Sequence, residues 1–349
     1  MKAIEPSKAA MLNQMIDEAG QIAIVAHTRV DGDAVGSCTA LMHYLSELRG
    51  KKVGITFAET IPESISFIVP ASDNPSIHIL SENGPETLDW IKGSDLAFCM
   101  DCNSFSRTAG LEKEYNDSKA GKVLIDHHLN PESGQFDISF AETEISSTAE
   151  LLFHILKKMP DISGDAGKLP KVAAEALMAG MTTDTNNFGN SVFPSTLDMA
   201  SELLATGVDR GKILYELYNR FRENRVRVMG HMLKDNLVIT PAGTAYMILD
   251  KKAIGEYDVR EGETEGFVNI PLSVDNVVLS IFLKEDDGFF RVSIRSKEGI
   301  SANRCAQEFF NGGGHELAAG GKLFFPKDIA GPEKAGAYVE KVTELFLKK

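Results

Sequence analysis

Short apolar runs alternate with amphipathic ones through the first half of the chain. QIAIVAH (21–27) has the length and β-branched content of a buried strand and ends on a polar residue. GSCTALMHYLSELRG (36–50) repeats apolar residues at helical spacing and stops at Gly50. KKVGITFAE (51–59), SDLAFCMD (94–101) and GKVLIDHH (121–128) are further strands by the same criteria, and the last two also end in polar residues. Strands separated by helical stretches predict an α/β fold: a mostly parallel sheet flanked by helices. In such sheets, sites form at the carboxyl ends of the strands.

From SSTAELLFHILKKM (146–159) the pattern turns helical. KVAAEALMAGMTTDTNNF (171–188) reads as a helix running into a polar loop, and TLDMASELLATG (196–207) as another helix. Residues 211–236 are long, amphipathic and charged, and predict a single connecting helix. Beyond it, LVITPAGTAYMILD and NVVLSIFLKEDDGFFRVSIRS read as hairpins, the second turning at DDG. A helix, SANRCAQEFF, leads to NGGGHELAAGG and a last strand and helix. The expected organisation is a catalytic domain over 1–210, a linker helix over 211–236, and a smaller C-terminal α/β domain with a mixed sheet over 237–349.

A chain of 349 residues accommodates two domains, and 43% hydrophobic with 25% charged residues is ordinary globular composition. No apolar run is long enough to span a bilayer, and mean hydropathy is −0.11. The opening MKAIEPSKAAMLNQMIDEAG is amphipathic and carries acids, unlike a signal peptide, so the expected location is cytoplasmic with no membrane partner. Four cysteines make no disulfide framework. Cys99 and Cys102 form a C-x-x-C that could be a redox pair or half a zinc site, but no second pair completes it. The net charge of −14 disfavours long duplex nucleic acid, which basic surfaces hold. It favours small phosphorylated substrates gripped by metals and a few local cations.

His27, Asp31, Asp33, Asp101, Asp126, His127, His128 and Asp184 all fall at strand or helix ends. Taken singly each is ordinary: Asp31 alone reads as a turn former or helix N-cap. Gathered on one rim, so many acids repel by roughly several kcal/mol unless divalent cations lie between them. Carboxylate and imidazole ligands without thiolate suit Mn²⁺ best, with Mg²⁺, Co²⁺ and Fe²⁺ as alternatives. The number of acids calls for two ions rather than one. A shared carboxylate would hold them about 3.5–4 Å apart around a bridging hydroxide, an arrangement suited to in-line attack on phosphorus.

HTRVDGDAVGS, the Asp of FCMDC, IDHH and GMTTDTNNF resemble the motifs of the DHH phosphoesterase superfamily. NGGGHELAAGG resembles the Gly-Gly-Gly-His signature of its C-terminal DHH-associated domain. The motifs occur in order over nearly the whole chain, and the likeness is greatest to the NrnA-type oligoribonuclease and pAp phosphatases. The resemblance implies that His27 and Asp31 hold one ion, that Asp33, His127 and Asp184 hold the other, and that Asp101 bridges them. His128 would face the substrate phosphate or leaving group, and Asp126 would orient His127. Gly36 and Ser37 would begin a helix whose amides face the site. Val30 stands where the family often has Pro, a position of rigidity rather than ligation.

In the C-terminal part, the three glycines read alone as a helix C-cap and loose turn. Followed by His315, they also suit a backbone cradle for phosphate, beside an Arg295 able to grip one in bidentate fashion. The resemblance implies that Arg295, Ser296, Asn303, Gly313, Gly314 and His315 bind the substrate's terminal phosphate or nucleotide. The expected function is hydrolysis of short oligoribonucleotides and pApA to mononucleotides, and of pAp to AMP, by an enzyme that forms a homodimer. The alternatives are a pyrophosphatase or exopolyphosphatase, and a non-catalytic nucleotide-binding regulator on the same fold.

Overall fold

The computed structural model describes residues 4–69 and 76–348. The chain divides into two units, Met1–Arg220 and Phe221–Lys349.

In the first unit, β1 (Gln21–Val25) and β4 (Leu96–Met100) are apolar on both faces and buried almost throughout, as central strands of a covered parallel sheet must be. With β2 (Lys52–Phe57), β3 (Ile77–Ile79), β5 (Gly121–Asp126) and β6 (Ile138–Ala141) they form one sheet in the order β3-β2-β1-β4-β5-β6. Every pairing is parallel. The direction of winding reverses between β1 and β4, which opens a crevice at their carboxyl ends. The two edge strands, β3 and β6, span three and four residues, too short to show a period in the sequence.

The helix that follows β1 begins at Gly32, capped by Asp31, whose carboxylate accepts from the amides of Asp33 and Ala34. This start lies four residues before the one the resemblance implied. Gly36 therefore sits in the second turn, not at an amide end. A Cβ there would stand 2.6 Å from the carbonyl of Ala176 and 3.0 Å from the backbone of Gly180. Gly36 is a packing glycine that lets helix Gly32–His43 lie backbone to backbone on helix Lys171–Asp184. Ser37 turns its hydroxyl back to the carbonyl of Ala34.

The stretch 211–236 is not one helix. It is helical over Arg210–Leu214 and Tyr215–Asn219, breaks at Arg220 (φ −116°, ψ 65°), and resumes over Glu223–His231 and Met232–Asn236. The apolar positions stay in helical phase across the break, which is why the pattern reads as continuous. Ile213 and Leu217 pack into the core of the first unit, whereas Val228 and Met232 pack with Met247, Leu249 and Phe282 of the second. Two separate cores claim the two stripes.

The second unit holds β7 (Val238–Ile239), β8 (Thr244–Leu249), β9 (Leu279–Asp286), β10 (Phe289–Ser296), β11 (Gly313–Gly314) and β12 (Ala318–Phe324), in the order β11-β12-β10-β9-β8-β7. Only β8 and β9 run parallel, so the sheet is mixed as expected. The hairpin of β9 and β10 turns through Asp287 and Gly288, the glycine at φ 80°. β10 alternates strictly, with Phe290, Val292 and Ile294 buried in the core shared with helices Ala302–Phe309 and Ala335–Leu347. The glycine run is explained by crowding of backbones: a Cβ on Gly312 would meet the carbonyl of Gly320 at 2.0 Å. Among the described residues, no helix is long and apolar enough to cross a membrane.

Candidate metal centre

The carboxyl ends of β1, β4 and β5 bring together residues that are far apart in sequence. His27 follows β1, Asp101 follows β4, and Asp126 closes β5 ahead of His127 and His128. Asp31 and Asp33 come with the first turn of the helix after β1, and Asp184 ends helix Lys171–Asp184. Asp101 turns the chain at φ 52°, a conformation that costs a non-glycine residue about 1 kcal/mol or more and is found where a side chain must be aimed.

Asp101 is the centre of the arrangement, with its side chain 1% exposed. Its Oδ2 lies 3.6 Å from Nε2 of His27, which in turn is 3.8 Å from Oδ2 of Asp31. Its Oδ1 lies 3.5 Å from Nε2 of His127, which is 3.8 Å from Asp33 and 3.2 Å from Asp184. Each oxygen thus faces a separate set of candidate ligands. Two ligands sharing an ion at about 2.1 Å stand from roughly 3 Å apart at a right angle to about 4.2 Å when opposite one another, and the separations in both sets fall in that range. The donor atoms of His27, Asp31 and Asp101 all lie within 4.8 Å of one another, as do those of Asp33, Asp101 and His127. Nδ1 of His27 is 2.8 Å from the carbonyl of Thr28 and donates to it, so Nε2 is the ring nitrogen that faces the carboxylates.

The electrostatics report a surplus of negative charge. Burial, together with the charges of Asp101, Asp184 and Asp31, raises the Asp33 carboxyl well above its ordinary range. Burial also depresses His27, but Asp101 and Asp31 more than offset it and push the imidazole up to about 9. Asp101 is raised by burial, yet the three histidines around it hold it well below the usual carboxylate range. A divalent cation relieves this imbalance directly.

A helix start that the sequence reading left outside the site holds two of these acids. Ser147 caps helix Thr148–Lys158, and the amides of Thr148 and Ala149 donate to the two oxygens of Asp33 at 2.7 and 2.9 Å. The hydroxyl of Thr148 donates to Oδ1 of Asp101 at 2.9 Å. Thr148 therefore ties the central aspartate to the one beside it. The sequence signal was present as Ser147-x-x-Glu150, a capping-box spacing that marks a helix start but not what its amides bind. Asp31 caps the helix through Oδ1, while its Oδ2 lies 3.8 Å from Nε2 of His27.

Asp126 departs from the implied role. Its Oδ1 lies 2.8 Å from Nδ1 of His128, so the imidazole it orients is His128, where the resemblance implied His127. Burial lowers the His128 pKa, but Asp126 and Asp101 outweigh it and raise it overall, favouring a proton on the ring. Cys99 and Cys102 are buried, and their thiols donate to the carbonyls of Cys102 and Ser104 as core residues.

The second unit gathers its own candidates at one end of its sheet. Arg295 pairs in register with Ala318, whose carbonyl accepts from the amide of His315. Oδ1 of Asn303 accepts from the amide of Gly314 at 3.0 Å. The Ser296 hydroxyl donates to the carbonyl of Ile300, and an Arg295 Nη1 proton goes to the carbonyl of Ile294. Gly313 and Gly314 form β11, edge-paired to β12.

Residues 21–181 match the family model described as DHH family, N-terminal domain, and residues 243–346 match the DHHA1 domain. The chain is 27% identical over 302 residues to the bifunctional oligoribonuclease and PAP phosphatase NrnA of Bacillus subtilis (strain 168), covering 85% of this chain and 88% of that one. It is similar over its full length to the crystal structure of an exopolyphosphatase-related protein from Bacteroides fragilis, with 32% identity, a TM-score of 0.90 and all of both chains covered. A structure of RecJ in complex with Mn²⁺ from Thermus thermophilus shares the fold, with a TM-score of 0.56 and 14% identity over 99% of this chain and 55% of that one.

Proposed function

The chain belongs to the DHH phosphoesterase family and is a hydrolytic enzyme, and from that premise we propose that it hydrolyses short oligoribonucleotides, pApA among them, to mononucleotides, and pAp to AMP. The observation that carries this reading is the Asp101 carboxylate, with one oxygen toward His27 and Asp31 and the other toward His127, Asp33 and Asp184. His27 and Asp31 hold one ion, Asp33, His127 and Asp184 the other, and Asp101 both. Mn²⁺ suits these hard and borderline ligands best. When bound, such a pair supplies positive charge for a phosphoryl centre and a water that is nucleophilic at neutral pH.

The remaining roles belong to the chain's own groups. Asp126 fixes Nδ1 of His128, so the opposite nitrogen carries the mobile proton and can deliver it to the leaving oxygen. Thr148 keeps Asp101 and Asp33 in place through its hydroxyl and amide. Arg295, Ser296, Asn303, Gly313, Gly314 and His315 bind the substrate's terminal phosphate. Residues 1–210 serve as the catalytic domain and 237–349 as the substrate-binding domain.

The decisive experiment is a hydrolysis panel with Mn²⁺: pAp, pApA, cyclic di-AMP, pyrophosphate, and RNA of increasing length. Mononucleotide release from the short RNAs, abolished for every substrate by Asp101→Ala, is the expected result. Wild-type rates in Asp101→Ala refute the shared-carboxylate assignment. A second reading, pyrophosphate or polyphosphate hydrolysis, draws on the relative described as exopolyphosphatase-related. It prevails if phosphate release from those substrates exceeds mononucleotide release from a diribonucleotide. A site that stays empty after Mn²⁺ supplementation would favour a non-catalytic nucleotide-binding regulator.

A further inference from the structure

Arg107 is a half-buried cation of the first unit. It closes a short turn, Phe105–Arg107, in the loop that follows Asp101. Its carbonyl accepts from the amide of Thr28 at 2.8 Å, which ties this loop to the residue beside His27. The turn is firmly held: Phe105 is buried, and the Thr108 hydroxyl donates to its carbonyl at 2.7 Å. Arg49, by contrast, is taken up by Asp17 and Asp161, and Arg210 by Asn187. The Arg107 side chain is half-buried, yet among the described residues its guanidinium has neither a hydrogen-bond acceptor nor a carboxylate at ion-pair distance. Its charge still reaches the site, where it opposes protonation of His27 and of His128.

A guanidinium left without an acid in so acidic a region invites an explanation. The nearby carboxylates turn toward the ion positions, and a cation beside two divalent ions is repelled unless an anion lies between them. The planar fork of arginine matches phosphate oxygens, and an anion held jointly by the ions and Arg107 neutralises both. We propose that Arg107 contacts the non-bridging oxygens of the scissile phosphate and stabilises the charge that grows on them during hydrolysis, a role that rests on the phosphoesterase reading above. It is distinct from the terminal-phosphate role assigned to Arg295.

The test uses the full chain with Arg107→Gln and Arg107→Lys. Three quantities are measured: Mn²⁺ stoichiometry by calorimetry, kcat and KM on a diribonucleotide, and affinity of the Mn²⁺-loaded protein for inorganic phosphate. Arg107→Gln should keep both ions, lose about a hundredfold or more in kcat, and bind phosphate about tenfold more weakly, as when one oxyanion donor or charge-assisted bond is removed. Arg107→Lys, which keeps the charge without the fork, should fall between. Wild-type kcat and phosphate affinity in Arg107→Gln overturn the proposal, and so does loss of Mn²⁺ from that variant, which would make Arg107 structural. If the unaltered enzyme hydrolyses no nucleotide, the phosphoesterase reading falls, and the phosphate affinities still decide whether Arg107 is an anion contact.

Discussion

Gly36→Ala tests whether close helix packing sets the spacing of the proposed metal ligands. A Cβ at residue 36 would stand 2.6 Å from the Ala176 carbonyl oxygen and 3.0 Å from Cα and N of Gly180, all backbone atoms that cannot rotate aside. Restoring ordinary contact near 3.5 Å requires helices Gly32–His43 and Lys171–Asp184 to part by about 1 Å. Overpacking of that size costs about 1–3 kcal/mol. The functional cost is more specific. The first helix carries Asp33 and the second ends in Asp184, and both face Nε2 of His127, at 3.8 and 3.2 Å. The set formed by His27, Asp31 and Asp101 does not involve the second helix. Calorimetric titration of Gly36→Ala with Mn²⁺ should therefore show one site near wild-type affinity and the other weakened or lost, with a lower urea midpoint. Gly230→Ala is the control. Gly230 lies in helix Glu223–His231 with nothing within 4 Å of its added Cβ, so the same change there should stabilise by up to about 1 kcal/mol. A Gly36→Ala protein that binds both ions and unfolds like wild type would refute the reasoning.

Glu150 gives a pH prediction. Burial pushes its carboxyl up, but His154, Ser146, Ser195 and Thr196 outweigh that and hold it at about 2. A lowered folded-state pKa gives stability that is present above the ordinary value of 4.5 and lost as pH falls toward about 2, at most on the order of 3 kcal/mol. The stability gap between wild type and Glu150→Gln in urea should shrink from pH 7 to pH 3; a constant gap contradicts the account. Arg295→Ala should raise KM for a diribonucleotide and leave kcat nearly unchanged, whereas a fall in kcat alone would remove Arg295 from ground-state binding. Mn²⁺ at a hundred times its Kd should raise unfolding free energy by about 2.7 kcal/mol, reversed by chelation. An unfolding midpoint indifferent to Mn²⁺ would remove the metal centre.

The strand-end acids and histidines were legible because a buried parallel strand announces itself as an apolar run, and the first polar residue after it must emerge at the carboxyl edge. Asp31 was legible as a cap for an equally local reason, since capping involves residues only two and three positions away. Edge strands β3 and β6 left no trace, because three or four residues carry no periodicity and their pairing is supplied by β2 and β5. The break at Arg220 was invisible because the apolar phase runs on through it, and only the existence of two cores divides it. Asp126 illustrates the boundary between the two kinds of information. The two residues that follow it are both histidines, and which ring its carboxylate meets depends on side-chain direction at a strand end, so the packed site selects His128. The hold of Thr148 on Asp101 and Asp33 spans 47 and 115 residues. Local pattern determined which residues reach the rim. Tertiary packing decided which of them meet, because hydrogen bonds and ion ligation depend on distances of a few tenths of an ångström that distant backbones set together.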